Sequence, residues 1–342
     1  YVIINGATIA IVWIAGKQVN QGIITQGQTV ALVNYMSQIL VELIKMANLI
    51  VSISKALACA NRVNKVFDTE SSIKEVPNAK TADSAKSEGN PVDAVVFNHV
   101  DFAYKNAKED SLTDINLTVK RGQTIGVIGG TGSGKSSLVN LIPRFYDVRQ
   151  GSVSIDGVDV REYALKDLRN RIGVVPQKAV LFEGTLRENM RWGKKDATDE
   201  EIYRALDIAQ AREFVDGKGK GLNLFIEQNG RNLSGGQRQR LTIARALVRN
   251  PEILIMDDSA SALDFATDAR LRRAIRENTK DMTVFIVSQR ATTIRNADTI
   301  LVLDDGKLAG IGNHKQLLKE CDVYREICLS QLSKEEVERD EQ

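Results

Sequence analysis

Apolar residues dominate the start of the chain. Residues 1–15 are predominantly apolar and are followed by Gly16 and Lys17. As a helix they would span about 22 Å, less than the roughly 30 Å hydrocarbon core of a bilayer. We therefore expect the chain to begin inside a membrane-spanning helix, with earlier helices missing. A short buried or re-entrant helix is the alternative.

A second apolar stretch is much longer. Residues 16–27 are polar and rich in Gly, which predicts a short turn, and from Gln28 to Phe67 there is neither Gly nor Pro. One helix over that range would span about 60 Å, twice the bilayer core, so it would leave the membrane and continue into water. Lys and Arg accumulate in its second half, which predicts a cytoplasmic end.

Glu42 and Lys45 lie three residues apart on this second predicted helix, so they share a face and can form an ion pair. Two interpretations remain open. The pair either sits near the inner membrane interface, with Lys45 reaching toward the headgroups, or lines a substrate cavity.

Short apolar strands and helical patterns alternate in the rest of the chain. They follow residues 69–92, whose polar composition and prolines predict a linker. We predict strands at residues 95–104, 111–119, 124–128, 252–256, 283–287 and 299–303. Such alternation is typical of an α/β domain with a largely parallel sheet. Residues 330–342 predict an acidic tail, as a solvated or frayed helix.

Charge is distributed as unevenly as hydropathy. Lys17 is the only charged residue from Tyr1 to Val41, although the chain of 342 residues carries 46 basic and 44 acidic residues. This asymmetry predicts a membrane part followed by a cytosolic domain. The net charge of +2 gives no electrostatic reason to expect a nucleic-acid partner.

A phosphate-binding pattern follows the strand predicted at 124–128. It consists of Gly129, Gly130, Thr131, Gly132, Ser133, Gly134, Lys135 and Ser136. This fits G-x-x-x-x-G-K-[ST] between a strand and a helix, the context in which the pattern is informative. Glycines let backbone N–H groups turn toward phosphate oxygens, and the helix start adds its positive dipole end. Lys135 would reach the β- and γ-phosphates and Ser136 would ligate Mg²⁺.

Two further segments carry related chemistry. Asp257 ends the apolar strand Ile253–Asp257, where a carboxylate can hold the Mg²⁺ shell. Residues 233–237, LSGGQ, precede a basic helix at 238–249, which predicts a second anion-binding helix start. Two such sites facing one nucleotide indicate a composite site between two subunits.

Taken in order, the pattern at 129–136, LSGGQ at 233–237, the strand ending at Asp257, and Ser261-Ala262-Leu263-Asp264 resemble an ATP-binding cassette. With a membrane helix ahead of it, the chain resembles a multidrug-exporter-like half-transporter of the type IV ABC exporter family. The resemblance implies an α/β P-loop ATPase with a helical subdomain, fused to the C-terminal part of an α-helical transmembrane domain. It also implies a multi-pass protein of the cell membrane with its nucleotide-binding domain in the cytoplasm.

The same resemblance gives expected domain bounds. Residues 1–68 would be part of the fifth and all of the sixth of six membrane helices, and 69–92 the linker. The nucleotide-binding domain would cover 93–329, with its helical subdomain at about 178–248, and 330–342 would be the tail.

Site residues follow from the resemblance. The expected ATP-binding residues are Tyr104, which would stack on adenine, Gly129, Thr131, Gly132, Ser133, Gly134, Lys135, Ser136, Ser137 and Asp257. Magnesium would be held by Ser136, Gln177 of the Q-loop and, through water, Asp257. Ser234, Gly235, Gly236, Gln237 and the D-loop residue Asp264 would contact ATP bound by the other subunit. Closure of two cassettes on two ATP molecules would turn the membrane helices from inward- to outward-facing.

The sequence departs from the family pattern at two catalytic positions. The residue after Asp257 is normally the glutamate that activates water, and here it is Asp258, one methylene shorter. The histidine of the switch loop, residues 287–290, is replaced by Gln289, which can donate a hydrogen bond but cannot carry a positive charge. A positioned general base contributes typically about 10²–10⁴-fold in rate, so poor geometry would lose much of that. The expected catalytic residues are therefore Asp258, Gln289 and Gln177.

Binding groups are thus intact and catalytic groups weakened. The segment at 226–230 also departs from the usual acidic cross-subunit loop. This combination resembles the degenerate-site subunit of bacterial heterodimeric multidrug exporters, in which a partner with a consensus glutamate hydrolyses ATP quickly. His99 and His314 lie away from these motifs, in predicted loop or strand-end settings, and are expected to have surface or structural roles.

Three other functions stay open. One is a homodimeric exporter of drugs, lipids or peptides in which Asp258 is active, and another is a regulatory subunit gated by ATP. The third is a non-transport ABC ATPase, which residues 1–67 disfavour. The expected partners are a second half-transporter, the lipid bilayer and a hydrophobic small-molecule substrate that the sequence does not identify.

Overall fold

The structure is a computed structural model that describes residues 2–76, 79–81, 93–259, 262–279 and 281–341. Most of the predicted linker and Ser261 lie outside these ranges. The chain divides into two compact units, Tyr1–Ser72 and Ile73–Gln342.

The first unit consists of two contacting helices, α1 (Val2–Asn20) and α2 (Gln26–Phe67). The connecting turn is shorter than predicted, because α1 continues through Gly16 and Lys17 and because Thr25 caps α2 in a capping box. The 19 residues of α1 extend the helix beyond residue 15 to about 28 Å, which is still slightly less than the roughly 30 Å hydrocarbon core.

Among the described residues, α2 is the helix long and apolar enough to cross a membrane. It has 42 residues, and its most apolar window has a mean hydropathy of 1.5. Lys45 Nζ lies 2.7 Å from Glu42 Oε1, which confirms the predicted ion pair, and both side chains are exposed within this unit. The number of membrane spans stays a prediction.

The second unit contains two main sheets. The antiparallel sheet has the order β2-β1-β4-β5 and consists of β1 (Val95–Phe102), β2 (Leu112–Val119), β4 (Gln150–Ile155) and β5 (Val158–Asp159). The other sheet has the order β12-β11-β3-β10-β9-β6 and is parallel except at β12. Its strands are β3 (Thr124–Gly129), β6 (Ile172–Val175), β9 (Ile253–Asp257), β10 (Thr283–Val287), β11 (Thr299–Asp304) and β12 (Lys307–Gly312). The predicted strands are confirmed within two residues at each end, and so is the largely parallel sheet.

Helices and one small ribbon complete this unit. The ribbon pairs β7 (Gly184–Thr185) with β8 (Phe225–Ile226). The helices are α3 (Lys135–Leu141), α4 (Leu165–Asn170), α5 (Leu186–Arg191), α6 (Asp199–Ile208), α7 (Arg212–Gly217), α8 (Gly235–Leu247), α9 (Phe265–Asn278), α10 (Ala291–Ile294), α11 (His314–Glu320), α12 (Asp322–Gln331) and α13 (Lys334–Glu341).

Alternate residues of the parallel strands supply two hydrophobic cores. On β10, Phe285 packs with residues of the antiparallel sheet, whereas Val284 and Ile286 pack with the helices α5 to α9. The central strands are therefore buried on both faces, which explains their continuous apolar sequences. The carboxyl ends of β3 and β9 come to the same edge, where the candidate site lies.

Both flanks of the domain pack against it. Lys80 exchanges main-chain hydrogen bonds with Glu162 and Ala164, so this part of the predicted linker is docked. At the other end, Val337 is 1% and Asp340 is 7% exposed. The predicted helix is therefore present as α13 and most of its side chains are exposed, but these two side chains are buried against the preceding helices.

Candidate nucleotide-binding site

The loop between β3 and α3 turns sharply at its glycines. Gly134, the residue before α3, has a φ of 93°, and a Cβ there would lie 2.7 Å from the main-chain oxygen of Ser111. Gly129 has a φ of 158°, and its Cβ would lie 2.1 Å from the main-chain oxygen of Leu303. Close backbone approach therefore demands glycine at both ends of the loop.

Lys135 opens α3 and is buried inside this loop. Its Nζ donates to the main-chain oxygens of Gly129 at 2.9 Å and Gly130 at 2.6 Å, and lies 3.4 Å from Ser133 Oγ. Burial lowers the pKa of Lys135, while Asp257 and Asp258 act to raise it. An anion in the loop would restore the stability of the charged form, so the ammonium is placed to favour phosphate.

Ser136 and Asp257 meet at the edge of the cleft. Ser136 Oγ donates to Asp257 Oδ1 at 3.1 Å, and burial raises the pKa of this carboxyl. A hydroxyl and a partly desolvated carboxylate side by side offer the hard oxygen ligands that Mg²⁺ prefers, with water and phosphate completing its shell. These residues fit the metal expected from the sequence.

Asp258 and Gln177 contact each other across the site. Gln177 Nε2 donates to Asp258 Oδ2 at 3.3 Å, and the Asp258 main-chain nitrogen donates to Val287 O at 2.9 Å. Asp258 has a φ of 43°, a left-handed conformation that aspartate adopts more readily than most residues. This direct contact between two predicted catalytic residues has no signal in the sequence.

A cleft of about 520 Å³ brings most of the predicted residues together. Its lining includes Tyr104, Thr131, Gly132, Gly134, Lys135, Ser136, Ser137, Gln177, Asp257, Asp258 and Gln289. Five residues of the predicted loop therefore share one cavity with the three predicted catalytic residues, namely Thr131, Gly132, Gly134, Lys135 and Ser136. Gly129 and Ser133 contribute through their contacts with Lys135.

Tyr104 stands at the rim of this cleft. Its hydroxyl lies 2.9 Å from Ser137 Oγ, and its ring meets those of Phe102 and Tyr146 edge-on, with centroids 4.9 and 5.1 Å away. The side chain is 39% exposed, so part of the ring remains open to a stacking partner.

The segment at 233–237 lies outside the cleft of its own chain. Ser234 caps α8, accepting from the Gln237 main-chain nitrogen at 3.2 Å, while Gln237 Oε1 accepts from the Ser234 nitrogen. Ser234 and Gly235 are exposed, and a Cβ on Gly235 would meet open space, whereas Gly236 is half-buried. None of them is among the described residues that line the cleft.

Asp264 is likewise exposed and outside the cleft lining. It caps α9, accepting from the Thr267 main-chain nitrogen at 2.9 Å, and this hydrogen bond lowers the pKa of its carboxyl. Its structural role is therefore clear in one chain, whereas the expected contact with a second subunit stays a prediction.

Sequence reasoning missed one side of the cleft. Glu109, Asp110, Ser111, Asp305 and Gly306 also line it. They lie close together because Thr113 donates a main-chain hydrogen bond to Gly306, which joins the start of β2 to the β11–β12 turn. No motif marks these residues, since only the folded register brings the two segments together.

His314 differs from its predicted setting because it opens the helix α11 and is buried. Its Nδ1 lies 2.8 Å from the Tyr324 hydroxyl and its Nε2 lies 3.3 Å from Asp340 Oδ2. His99 is exposed and lies 2.6 Å from Asp114. Neither is among the described residues of the cleft, in agreement with the expected structural or surface roles.

A larger cavity, of about 640 Å³, lies between α9 and the sheet. Its arginines are engaged within the protein, because Arg272 pairs with Asp268 at 2.9 Å and Arg273 pairs with Glu277 at 2.7 Å. It includes no part of the glycine-rich loop. The smaller cleft is therefore the candidate site.

Comparisons with known proteins agree with this geometry. A family model described as ABC transporter matches residues 112–261. An uncharacterized ABC transporter ATP-binding protein of Mycobacterium tuberculosis is 38% identical over 335 residues, covering 96% of this chain and 56% of that protein. A probable multidrug resistance ABC transporter ATP-binding/permease protein of Bacillus subtilis is 39% identical over 303 residues, covering 89% of this chain and 51% of that protein.

A solved structure covers both units. The structure of a bacterial Atm1-family ABC exporter with ATP bound superimposes with a TM-score of 0.75 at 31% identity, covering 97% of this chain and 57% of that one. The chain thus spans just over half the length of the relatives it matches. Together with the P-loop cleft, these similarities show that the chain belongs to the ABC transporter ATPase family. Its ATP-binding domain follows a helical N-terminal region in the sequence.

Proposed function

We propose that this chain is the ATP-binding and transmembrane subunit of an ABC exporter, with its cassette in the cytoplasm. One observation carries the proposal. A cleft that brings Lys135 together with the Ser136–Asp257 pair lies on the same chain as α2, a helix of membrane-crossing length. A nucleotide site joined to a membrane helix is suited to converting ATP binding into movement of that helix.

The residues of the cleft have different proposed roles. Lys135 and the turned backbone of the loop bind the phosphates, Ser136 and Asp257 hold Mg²⁺, and Tyr104 offers its ring to the base. Magnesium, when bound, neutralises charge that develops on the phosphates. Gln177 contacts Asp258, so it links the metal side of the cleft to the position from which water would be activated.

Hydrolysis at this cleft is proposed to be slow. Asp258 stands where the family has glutamate, and its shorter side chain accepts a hydrogen bond from Gln177 Nε2 at 3.3 Å. Gln289 supplies a hydrogen-bond donor in place of a histidine. The proposed assembly is a heterodimer, whose second subunit carries a consensus glutamate.

The proposed dimer also accounts for the exposed start of α8. Ser234 and Gly235 are exposed and outside their own cleft, so they are available to a nucleotide held by a second cassette. The proposed substrate is a hydrophobic small molecule, because the Bacillus subtilis relative is named a probable multidrug resistance transporter.

Transport measurements with a P-loop variant test this function. The assembly isolated through a tag on this chain would be reconstituted into liposomes, and ATP-driven export of a hydrophobic dye measured for Lys135→Ala. The matched control is Lys195→Ala, which removes an exposed lysine outside the cleft lining. We expect Lys135→Ala to reduce export at least about tenfold, in view of the charge it removes from the phosphate site.

Two results would contradict the proposal. Full-rate export by Lys135→Ala would mean that this chain's own ATP site does not drive transport, which leaves a regulatory role. Recovery of the native protein in the soluble fraction after membrane fractionation would instead favour a non-transport ATPase.

A further inference from the structure

The C-terminal helices touch the backbone of the switch loop. Gln331, the last residue of α12, donates from Nε2 to the main-chain oxygen of Gln289 at 2.7 Å. Its Oε1 accepts from the main-chain nitrogen of Ala291 at 2.9 Å. One side-chain amide therefore bridges the two backbone groups on either side of Arg290.

The same C-terminal region also contacts the other end of the segment at residues 289–295. Asp340 on α13 forms an ion pair with Arg295, the residue that follows α10. Asp340 is 7% exposed and also contacts His314, so this anchor is buried in the domain. Residues 289–295 are thus tied to the C-terminal helices at both ends.

The loop also contacts α9 on the side of the D-loop. The guanidinium of Arg290 lies 5.3 Å from the ring centroid of Phe265, the first residue after Asp264. Unlike these anchored groups of the loop, the side chain of Gln289 is exposed and lines the cleft. The Gln331 bridge fixes the main chain from which Gln289 projects.

We propose that Gln331 is a positioning residue, which holds the switch loop so that Gln289 faces the phosphates in the cleft. The inference rests on the proposed ATPase function of that cleft. Gln331 is not among the residues that line it, so its effect would be transmitted through the loop backbone. A displacement of about 1 Å at a reacting group can cost about 10²-fold in rate, which makes a backbone tether of this kind effective.

Two variants separate the halves of the bridge. Gln331→Leu has a similar shape and removes both hydrogen bonds, whereas Gln331→Glu retains the acceptor for the Ala291 nitrogen and loses the donor to Gln289. The matched control is Ser330→Ala on the same helix, since Ser330 Oγ donates to Ile327 O within α12. All three would be made in the full assembly that the chain forms.

Amide hydrogen exchange tests the bridge itself. We expect the Ala291 amide to exchange at least about tenfold faster in Gln331→Leu than in wild type, because that N–H loses its partner. Gln331→Glu and Ser330→Ala should leave it protected. Unchanged exchange in Gln331→Leu would overturn the inference at its first step.

Steady-state kinetics test the positioning role. In an assembly whose partner subunit has Gln in place of its consensus glutamate, turnover reports this chain's cleft. There we expect Gln331→Leu to lower kcat for ATP by about tenfold with KM unchanged, because Lys135, Ser136 and Tyr104 keep their contacts. Gln331→Glu should lie between Gln331→Leu and wild type, and Ser330→Ala should match wild type. Faster exchange with unchanged kcat, or an equal loss in Ser330→Ala, would reduce Gln331 to a structural contact and refute the proposal.

The proposed ATPase function of the cleft and the positioning role of Gln331 can be refuted separately. In the assembly with the substituted partner, ATP turnover that is insensitive to Lys135→Ala would remove the ATPase role of this cleft, and the positioning role with it. Wild-type turnover that depends on Lys135 but not on Gln331 would overturn the positioning role alone.

Discussion

Asp258→Glu tests the slow site by adding one methylene to one side chain. The main-chain nitrogen of Asp258 is held by Val287 O at 2.9 Å, so the backbone is anchored to β10. Lengthening the side chain should therefore move the carboxylate and leave the loop in place. The shift is about 1.5 Å, the length of a carbon–carbon bond.

The expected magnitude follows from that distance. A misplacement of about 1 Å can cost about 10²-fold in rate, and a general base contributes typically about 10²–10⁴-fold. We expect Asp258→Glu to raise turnover at this cleft by about 10–100-fold, or about 1.4–2.7 kcal/mol of barrier. The φ of 43° opposes the change, because glutamate tolerates this region less well than aspartate, and about 1 kcal/mol of stability should be lost.

The assay is steady-state ATP hydrolysis by the chain expressed alone, with Lys135→Ala as the blank. Asp258→Asn is the matched control, because it keeps the shape of the side chain and one oxygen that can accept from Gln177 but removes the base. Thermal unfolding of each variant would show whether a change in rate reflects folding.

One pattern of results would refute the reasoning. Robust wild-type hydrolysis that Asp258→Asn abolishes and Asp258→Glu does not increase would mean that Asp258 already reaches the water. The chain could then function as a homodimer, and the proposed need for a consensus-glutamate partner would fall.

Two further predictions concern Gly134 in the glycine-rich loop and His314 at the start of α11. Gly134→Ala should destabilise the domain by about 1–3 kcal/mol and weaken nucleotide binding, because its φ of 93° and its Cβ contact with Ser111 O at 2.7 Å both resist a side chain. Gly130→Ala, whose Cβ would meet nothing within 4 Å, is the control in denaturant unfolding and nucleotide titration, and equal effects would contradict the steric explanation. Burial lowers the pKa of His314, so as the pH falls the unfolded chain takes up a proton on this side chain before the folded chain does. The contribution of neutral His314 to the free energy of unfolding should therefore be intact above its ordinary pKa of 6.5 and decrease as the pH drops below that value. Between about pH 7.5 and pH 5.5 His314→Gln should lose less thermal stability than wild type, and an equal loss would assign the effect to other groups.

The sequence predicted those parts of the fold whose pattern is local. The strand ending at Asp257 and the strand at Thr283–Val287 were apolar without interruption, because both faces of these strands are buried. The apolar pattern predicts a helix that ends at residue 15, whereas α1 continues through Gly16 and Lys17 to Asn20. Within α1 the Lys17 ammonium lies 5.3 Å from the ring centroid of Trp13, four residues earlier on the same helix.

The candidate site was predictable where a motif occupies consecutive residues. The loop at 129–136 needs its glycines for backbone geometry, so the sequence motif itself predicts phosphate binding. Asp305 in the cleft and Gln331 beneath the switch loop depend on contacts between distant segments. Asp and Gln are ordinary residues in loops and at helix ends, so periodicity and spacing do not identify these two positions as part of the site.

One chain has two helix starts that are predicted to bind anions, and their surroundings differ. The start of α3 faces a cleft that contains Asp258 and Gln289, whereas the start of α8 is exposed, is capped by Ser234 and lies outside that cleft. In the proposed dimer the first would belong to this chain's own ATP and the second to the partner's. The weakened groups would then slow one site only, while the intact sequence at α8 would serve the other. Retention of LSGGQ beside the loss of the glutamate is therefore understandable if the two sites of the assembly differ, and this asymmetry is the physical reason for favouring a heterodimer.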